Sequence, residues 1–97
     1  MRREESYPNL CLFFDGYLNQ DYRYLDATVN GVIEIYKKSI TPSMRRSVIL
    51  EIDDFKNNYS SNLDDAFEDA FGQEISIEKM GFTASSFLDE LKKLLQD

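Results

Sequence analysis

Histidine and tryptophan are absent from this chain, cysteine occurs once and proline twice. The missing histidine removes the commonest general base and the commonest zinc ligand together. One thiol, Cys11, cannot close a disulfide within the chain, nor build a thiolate metal site or a Cys–His dyad. Its place in an apolar stretch predicts a buried small hydrophobe. The four glycines form no P-loop, no G-x-G-x-x-G and no G-x-S-x-G pattern. No run approaches the roughly 18 apolar residues of a membrane span. The apolar stretch behind Arg2 and Arg3 is broken by Asp15, too short and too acidic for a signal peptide. The expected location is the cytoplasm.

Bases are scarce in one region only. Residues 1–50 hold six acids and seven bases, and residues 79–97 hold three of each. Residues 51–78 hold nine acids (Glu51, Asp53, Asp54, Asp64, Asp65, Glu68, Asp69, Glu74, Glu78) against Lys56, a net of −8 in a chain whose total is −7. A surface of that sign repels phosphate, which disfavours nucleic acid and anionic membranes as direct partners. It attracts a basic protein.

What is present suits one folded domain. Ninety-seven residues with 42% hydrophobic and 13% aromatic content supply one core, built on phenylalanine, tyrosine, leucine and isoleucine. Residues 1–6 are expected to form a flexible tail. A first helix is predicted over Leu10–Leu18, begun by Pro8 in its first turn and weakened by Gly16. A second covers Asp26–Ser39, with Val29, Val32, Ile33 and Tyr36 in a 3.6-residue stripe and Lys37 and Lys38 where the helix dipole favours cations. Thr41 as N-cap and Pro42 at the first helical position mark the third, which ends before Asn57.

The fourth helix starts near Ser61 or Asn62. It carries Leu63, Ala66, Phe67, Ala70 and Phe71, the best amphipathic match in the chain, and Gly72 stands where a C-terminal cap belongs. The fifth starts at Thr83 and buries Phe87, Leu88, Leu91, Leu94 and Leu95. Gln73–Phe82 alternates around Ile75 and Ile77 but lacks a partner strand, so it reads as an extended connector pinned to the core by its isoleucines. The fold class is all-α: a compact single-domain bundle of about five crossed helices.

Carboxylate pairs are the remaining route to chemistry. Asp64/Glu68 and Asp65/Asp69 are i,i+4 pairs, yet they lie opposite the apolar stripe of their helix, and nothing in the sequence converges further ligands on them. No catalytic, cofactor or metal residues are assigned. Like charges at this spacing cost a helix roughly 0.2–0.5 kcal/mol per pair. Two readings of the acidic face stay open: a surface tolerated for solubility, or one kept to meet a basic partner. On the second reading the partner-binding residues are Asp53, Asp54, Asp64, Asp65, Glu68 and Asp69. Tyr22 and Tyr24, which flank Arg23 in a non-helical stretch, join them as possible anchors.

Leu10, Phe13, Phe14, Tyr17, Leu18, Gln20 and Asp21 spell L-x-x-F-F-x-x-Y-L-x-Q-D. This stretch resembles the N-terminal motif of bacterial immunity proteins from contact-dependent growth inhibition systems. The similarity is strongest over residues 7–22 and looser through the helical remainder. Tyr22 stands where the family often has tryptophan. By its periodicity the stripe itself belongs to the core, and Asp21 is positioned to accept backbone N–H groups of the next segment.

The resemblance implies a protein that is not an enzyme. It implies binding to the C-terminal domain of a cognate toxin, often a nuclease, which a basic cleft for its substrate would make complementary to this acidic block. Two other classes are a helical adaptor or regulatory subunit for an unrelated basic protein and, far behind, a carboxylate-dependent metalloenzyme. A neighbouring gene for the C-terminus of a large secreted protein separates the first two.

Overall fold

The computed structural model describes residues 3–72 and 75–96. These form helices α1 (Arg3–Ser6), α2 (Pro8–Gly16), α3 (Val29–Ser39), α4 (Pro42–Asn58), α5 (Leu63–Phe71) and α6 (Ala84–Gln96), with 3-10 turns at Tyr22–Tyr24 and Glu78–Met80. No strand occurs among the described residues. The radius of gyration of 12.3 Å is that of one packed domain, about 13 Å at this length. The all-α expectation and the five sequence-read helices are present. The difference is at the N-terminus, where residues 3–6 of the expected tail make one helical turn against α2. Met1 and Arg2 lie outside the described residues.

Local chemistry accounts for where α3, α4 and α6 begin. Thr41 Oγ1 accepts the Met44 N–H at 3.1 Å and Pro42 takes the first position, as read from the sequence. α3 begins at Val29 rather than Asp26. Thr28 is its cap, accepting the Gly31 N–H at 2.9 Å. Asp26 instead accepts the Thr28 N–H and hydroxyl at 2.9 and 3.0 Å, bonds that hold its carboxyl below the usual range. At α6, Thr83 Oγ1 accepts the Ser86 N–H while Ser86 Oγ accepts the Thr83 N–H, a reciprocal cap with serine in the usual glutamate position.

The ends also depart from the sequence reading. α2 stops at Gly16, and α4 runs on to Asn58. Asn19 makes the turn expected of Asp21: its Oδ1 accepts the Asp21 N–H at 2.8 Å, and its Nδ2 donates to the Asp15 carbonyl. Gly72 does cap α5, but with right-handed backbone. Glycine fits there because a Cβ would collide with the Glu68 carbonyl oxygen.

Aromatic rings fill the centre. Phe14 of α2 packs against Phe13, Phe67, Phe71 and Phe87, and Phe55 of α4 meets Tyr7, Tyr59, Phe67 and Phe71. Phe13, Phe14, Phe67 and Leu91 are buried, as is Cys11. α2 lies on α4, while α6 packs on α3, α4 and α5. The connector is pinned through buried Ile75 and Ile77 as expected, although Glu78–Met80 winds into a 3-10 turn. Gly81 ends that turn with φ of 88°, a conformation natural to glycine. Its neighbour Phe82 donates its N–H back to the Ile77 carbonyl at 3.0 Å.

Candidate functional site

The carboxylates of residues 51–78 divide by what they touch. Glu51 of α4 faces the start of α2 and accepts the Asn9 and Leu10 backbone N–H groups at 3.0 and 3.1 Å, with Asn9 Nδ2 at 2.6 Å. It therefore caps a helix 42 residues away in sequence and opposes that helix's positive end. Asp53 pairs with Lys92 of α6 at 2.8 Å. Asp64, in the first turn of α5, accepts the Ala84 N–H at 2.8 Å and thereby ties α5 to the start of α6. Lys56, the one base of the block, pairs with Asp89 of α6. It therefore neutralises an acid outside the block.

Asp54, Asp65, Glu68, Asp69 and Glu78 are left exposed. None makes a side-chain hydrogen bond or ion pair among the described residues. Glu74 lies outside the described residues. On α5 the apolar stripe faces the core, with Glu68 on the flank that Asp64 shares and Asp69 turned outward.

A groove of about 340 Å³ runs along that flank, between α5 and the connector to α6. Its floor is apolar, made by Phe67, Ile75, Ile77 and Phe82. Asp64, Asp65, Glu68 and Glu78 stand around it, and no basic residue lines it among the described residues. The Asp64–Ala84 bond joins its two walls, and the Gly81 turn sets the course of the connector. No group of three potential metal ligands converges among the described residues. The arrangement offers an apolar bed with an anionic rim.

Of the eight residues singled out in the sequence, Asp64, Asp65 and Glu68 are brought together at this groove. Asp53 is drawn toward α6 by Lys92, and Asp54 lies on the outer face of α4 one turn beyond exposed Leu50. The tyrosines separate in character: Tyr24 is 91% exposed, whereas Tyr22 is half-buried against the core with the Arg23 guanidinium 5.9 Å from its ring centre. Leu25, beside Tyr24, is also exposed. Glu78, outside those eight, also lines the groove. It belongs to the acidic block, and its closeness to Ile75 and Ile77 in the sequence is the signal that it borders the same segment.

No helix among the described residues is long and apolar enough to cross a membrane. No curated protein and no solved structure matches the chain significantly. Residues 6–95, nearly the whole chain and including the motif around Phe13 and Phe14, match the family described as CdiI immunity protein. The chain belongs to the CdiI immunity protein family, toxin inhibitors of contact-dependent growth inhibition rather than enzymes.

Proposed function

We propose that this immunity protein acts in the cytoplasm as a stoichiometric inhibitor, laying its acidic face on the basic substrate cleft of a nuclease toxin domain. One observation carries the reading. Three carboxylates of the block serve the fold, at two helix starts and one ion pair, while Asp54, Asp65, Glu68, Asp69 and Glu78 remain exposed and uncompensated. A helix selected for stability alone would place lysines beside Glu68 and Asp69.

A nuclease must hold a polyanion, and so needs a cationic cleft. An acidic helical surface over that cleft excludes substrate by charge and by bulk. Opposite fields also speed encounter, which favours early capture of the toxin. Asp54 extends the negative field along α4, with Asp53 beside it partly offset by Lys92, and exposed Tyr24 offers an aromatic anchor with Tyr22 behind it.

The test has two parts. Titrating the protein into a nuclease assay of the toxin domain encoded beside it should abolish activity linearly, with an end point at one equivalent. Reversal of Glu68 and Asp69 to lysine should then lower the association rate and flatten its salt dependence, since only charges near the contact act strongly when the screening length is about 8 Å at 0.15 M salt. Wild-type rates at low and high salt would make the acidic face a solubility feature. Loss of inhibition with no change in fold would support the docking reading.

A further inference from the structure

On the reading that the partner is a toxin domain with a basic surface, we infer that the groove between α5 and the connector is the anchor point. Its occupant is a lysine or arginine side chain presented on a segment of that domain. Lysine and arginine carry a long apolar stem below a cationic head. The groove has the matching order, with Phe67, Ile77 and Phe82 beneath and Asp65, Glu68 and Glu78 around the opening. A volume of about 340 Å³ lies at the low end of the roughly 300–1,000 Å³ typical of ligand sites, which suits a side chain or two rather than a helix.

Charge complementarity selects this occupant over a purely apolar one. An aliphatic side chain would bury the floor but leave three lining carboxylates without a counter-charge. A cation relieves their repulsion and gains charge-assisted hydrogen bonds to them. Asp64 has a different part. Its Oδ1 accepts the Ala84 N–H at 2.8 Å, so it ties α5 to the start of α6 while its second oxygen stays at the groove. The groove is present without a partner, and a preformed site lowers the ordering cost of binding.

The variants that test this separate charge, space and surroundings. Glu78→Gln and Glu68→Gln remove rim charge with little change of shape. Ser76→Trp, at an exposed position on the groove wall, fills the space without altering charge. Asp69→Asn removes a charge from α5 outside the groove. With affinity for the toxin domain as the readout, the first three should each raise Kd by about tenfold or more, as expected for loss of a charge-assisted contact. Asp69→Asn should change it by less than about threefold, as expected of a screened surface charge. The Ile75 and Ile77 methyl resonances of the full chain should shift on addition of the toxin domain.

Wild-type affinity in Ser76→Trp and Glu78→Gln, with their melting curves unchanged, would overturn the groove assignment and leave the immunity reading intact. If the unaltered protein does not bind the toxin domain, both readings fail together. Spermidine moving the same methyl resonances, with toxin affinity insensitive to Ser76→Trp, would assign the groove to a small polyamine and also overturn the inference.

Discussion

Glu51 lies in the most acidic part of the chain and yet belongs to the fold, so it is the sharpest place to separate stability from binding. Its half-buried carboxylate accepts two backbone N–H groups at the start of α2 and the Asn9 side-chain amide. Tyr7, in the N-cap position, makes no side-chain cap. Replacing Glu51 by alanine therefore leaves the first turn without its acceptor. Loss of a cap costs about 0.5–2 kcal/mol, and loss of a partly buried anion at the helix start costs about 0.3–2 kcal/mol. The two effects overlap, and about 2–3 kcal/mol is the expected total for Glu51→Ala. Glu51→Gln keeps one acceptor but sets an amide donor against Asn9 Nδ2, for about 1–2 kcal/mol.

In a domain of this size each kcal/mol moves the melting temperature by about 4–8 °C. Thermal denaturation followed by far-UV circular dichroism at neutral pH should show a fall of about 10–20 °C for Glu51→Ala and roughly half that for Glu51→Gln. Binding to the toxin domain, measured well below the lowered transition, should stay close to wild type. An unchanged melting temperature in Glu51→Ala would refute the capping assignment. Wild-type stability combined with lost toxin binding would place Glu51 in the interface instead.

Phe67→Ala should cost roughly 3–5 kcal/mol in urea denaturation, because the ring is 2% exposed and contacts Phe14, Phe55, Phe71 and Phe87. Gly81→Ala should lower stability by about 1–2 kcal/mol, since φ is 88° there while no atom lies close enough to clash; an unchanged midpoint would mean that the turn readjusts freely. Glu68→Gln should slightly raise the melting temperature of the free protein, by relieving an i,i+4 repulsion with Asp64 worth about 0.2–0.5 kcal/mol; a lowered melting temperature would show that Glu68 supports the fold. The Tyr36 hydroxyl is pushed up to about 12, first by burial and then by Glu51 and Tyr17. The fold therefore holds the neutral phenol, and its contribution is full below the unfolded value of about 10 and is lost as pH rises toward about 12. Tyr36→Phe should flatten the decline in stability across that window, and absorbance titration should show one fewer late-ionising tyrosine.

Legibility in the sequence followed the range of the interaction. Helices whose signal is local were readable: Thr41 with Pro42 set the start of α4, and Leu63, Ala66, Phe67, Ala70 and Phe71 set the buried face of α5. The start of α3 was misplaced because Asp26 and Thr28 are both good capping residues, and only their mutual hydrogen bond decides which one caps. Two caps were unreadable. Glu51 and Asp64 reach helix starts 42 and 20 residues away, and contacts across the tertiary structure leave no periodic trace. The candidate groove was readable in parts: its acids stood out as a charge excess and its isoleucines as pins. That they line one groove depends on the turn at Gly81 and on the Asp64–Ala84 bond between α5 and α6.

The concentration of charge is compatible with a stable fold because its members act at different places. Glu51 and Asp64 meet backbone N–H groups at helix starts, where a negative charge is favourable. Asp53 meets Lys92, although that pair is partly exposed and contributes little. The remaining repulsion falls mainly on α5 and the turn beyond it, where Asp65, Glu68 and Glu78 surround an apolar floor. On the reading proposed above, a partner cation entering there would remove repulsion present in the free protein, so its gain would exceed that of an equal contact on a neutral surface. The same carboxylates that repel one another along α5 would thus favour a basic partner. Asp64 belongs to both groups, because it accepts the first N–H of α6 and also lines the groove.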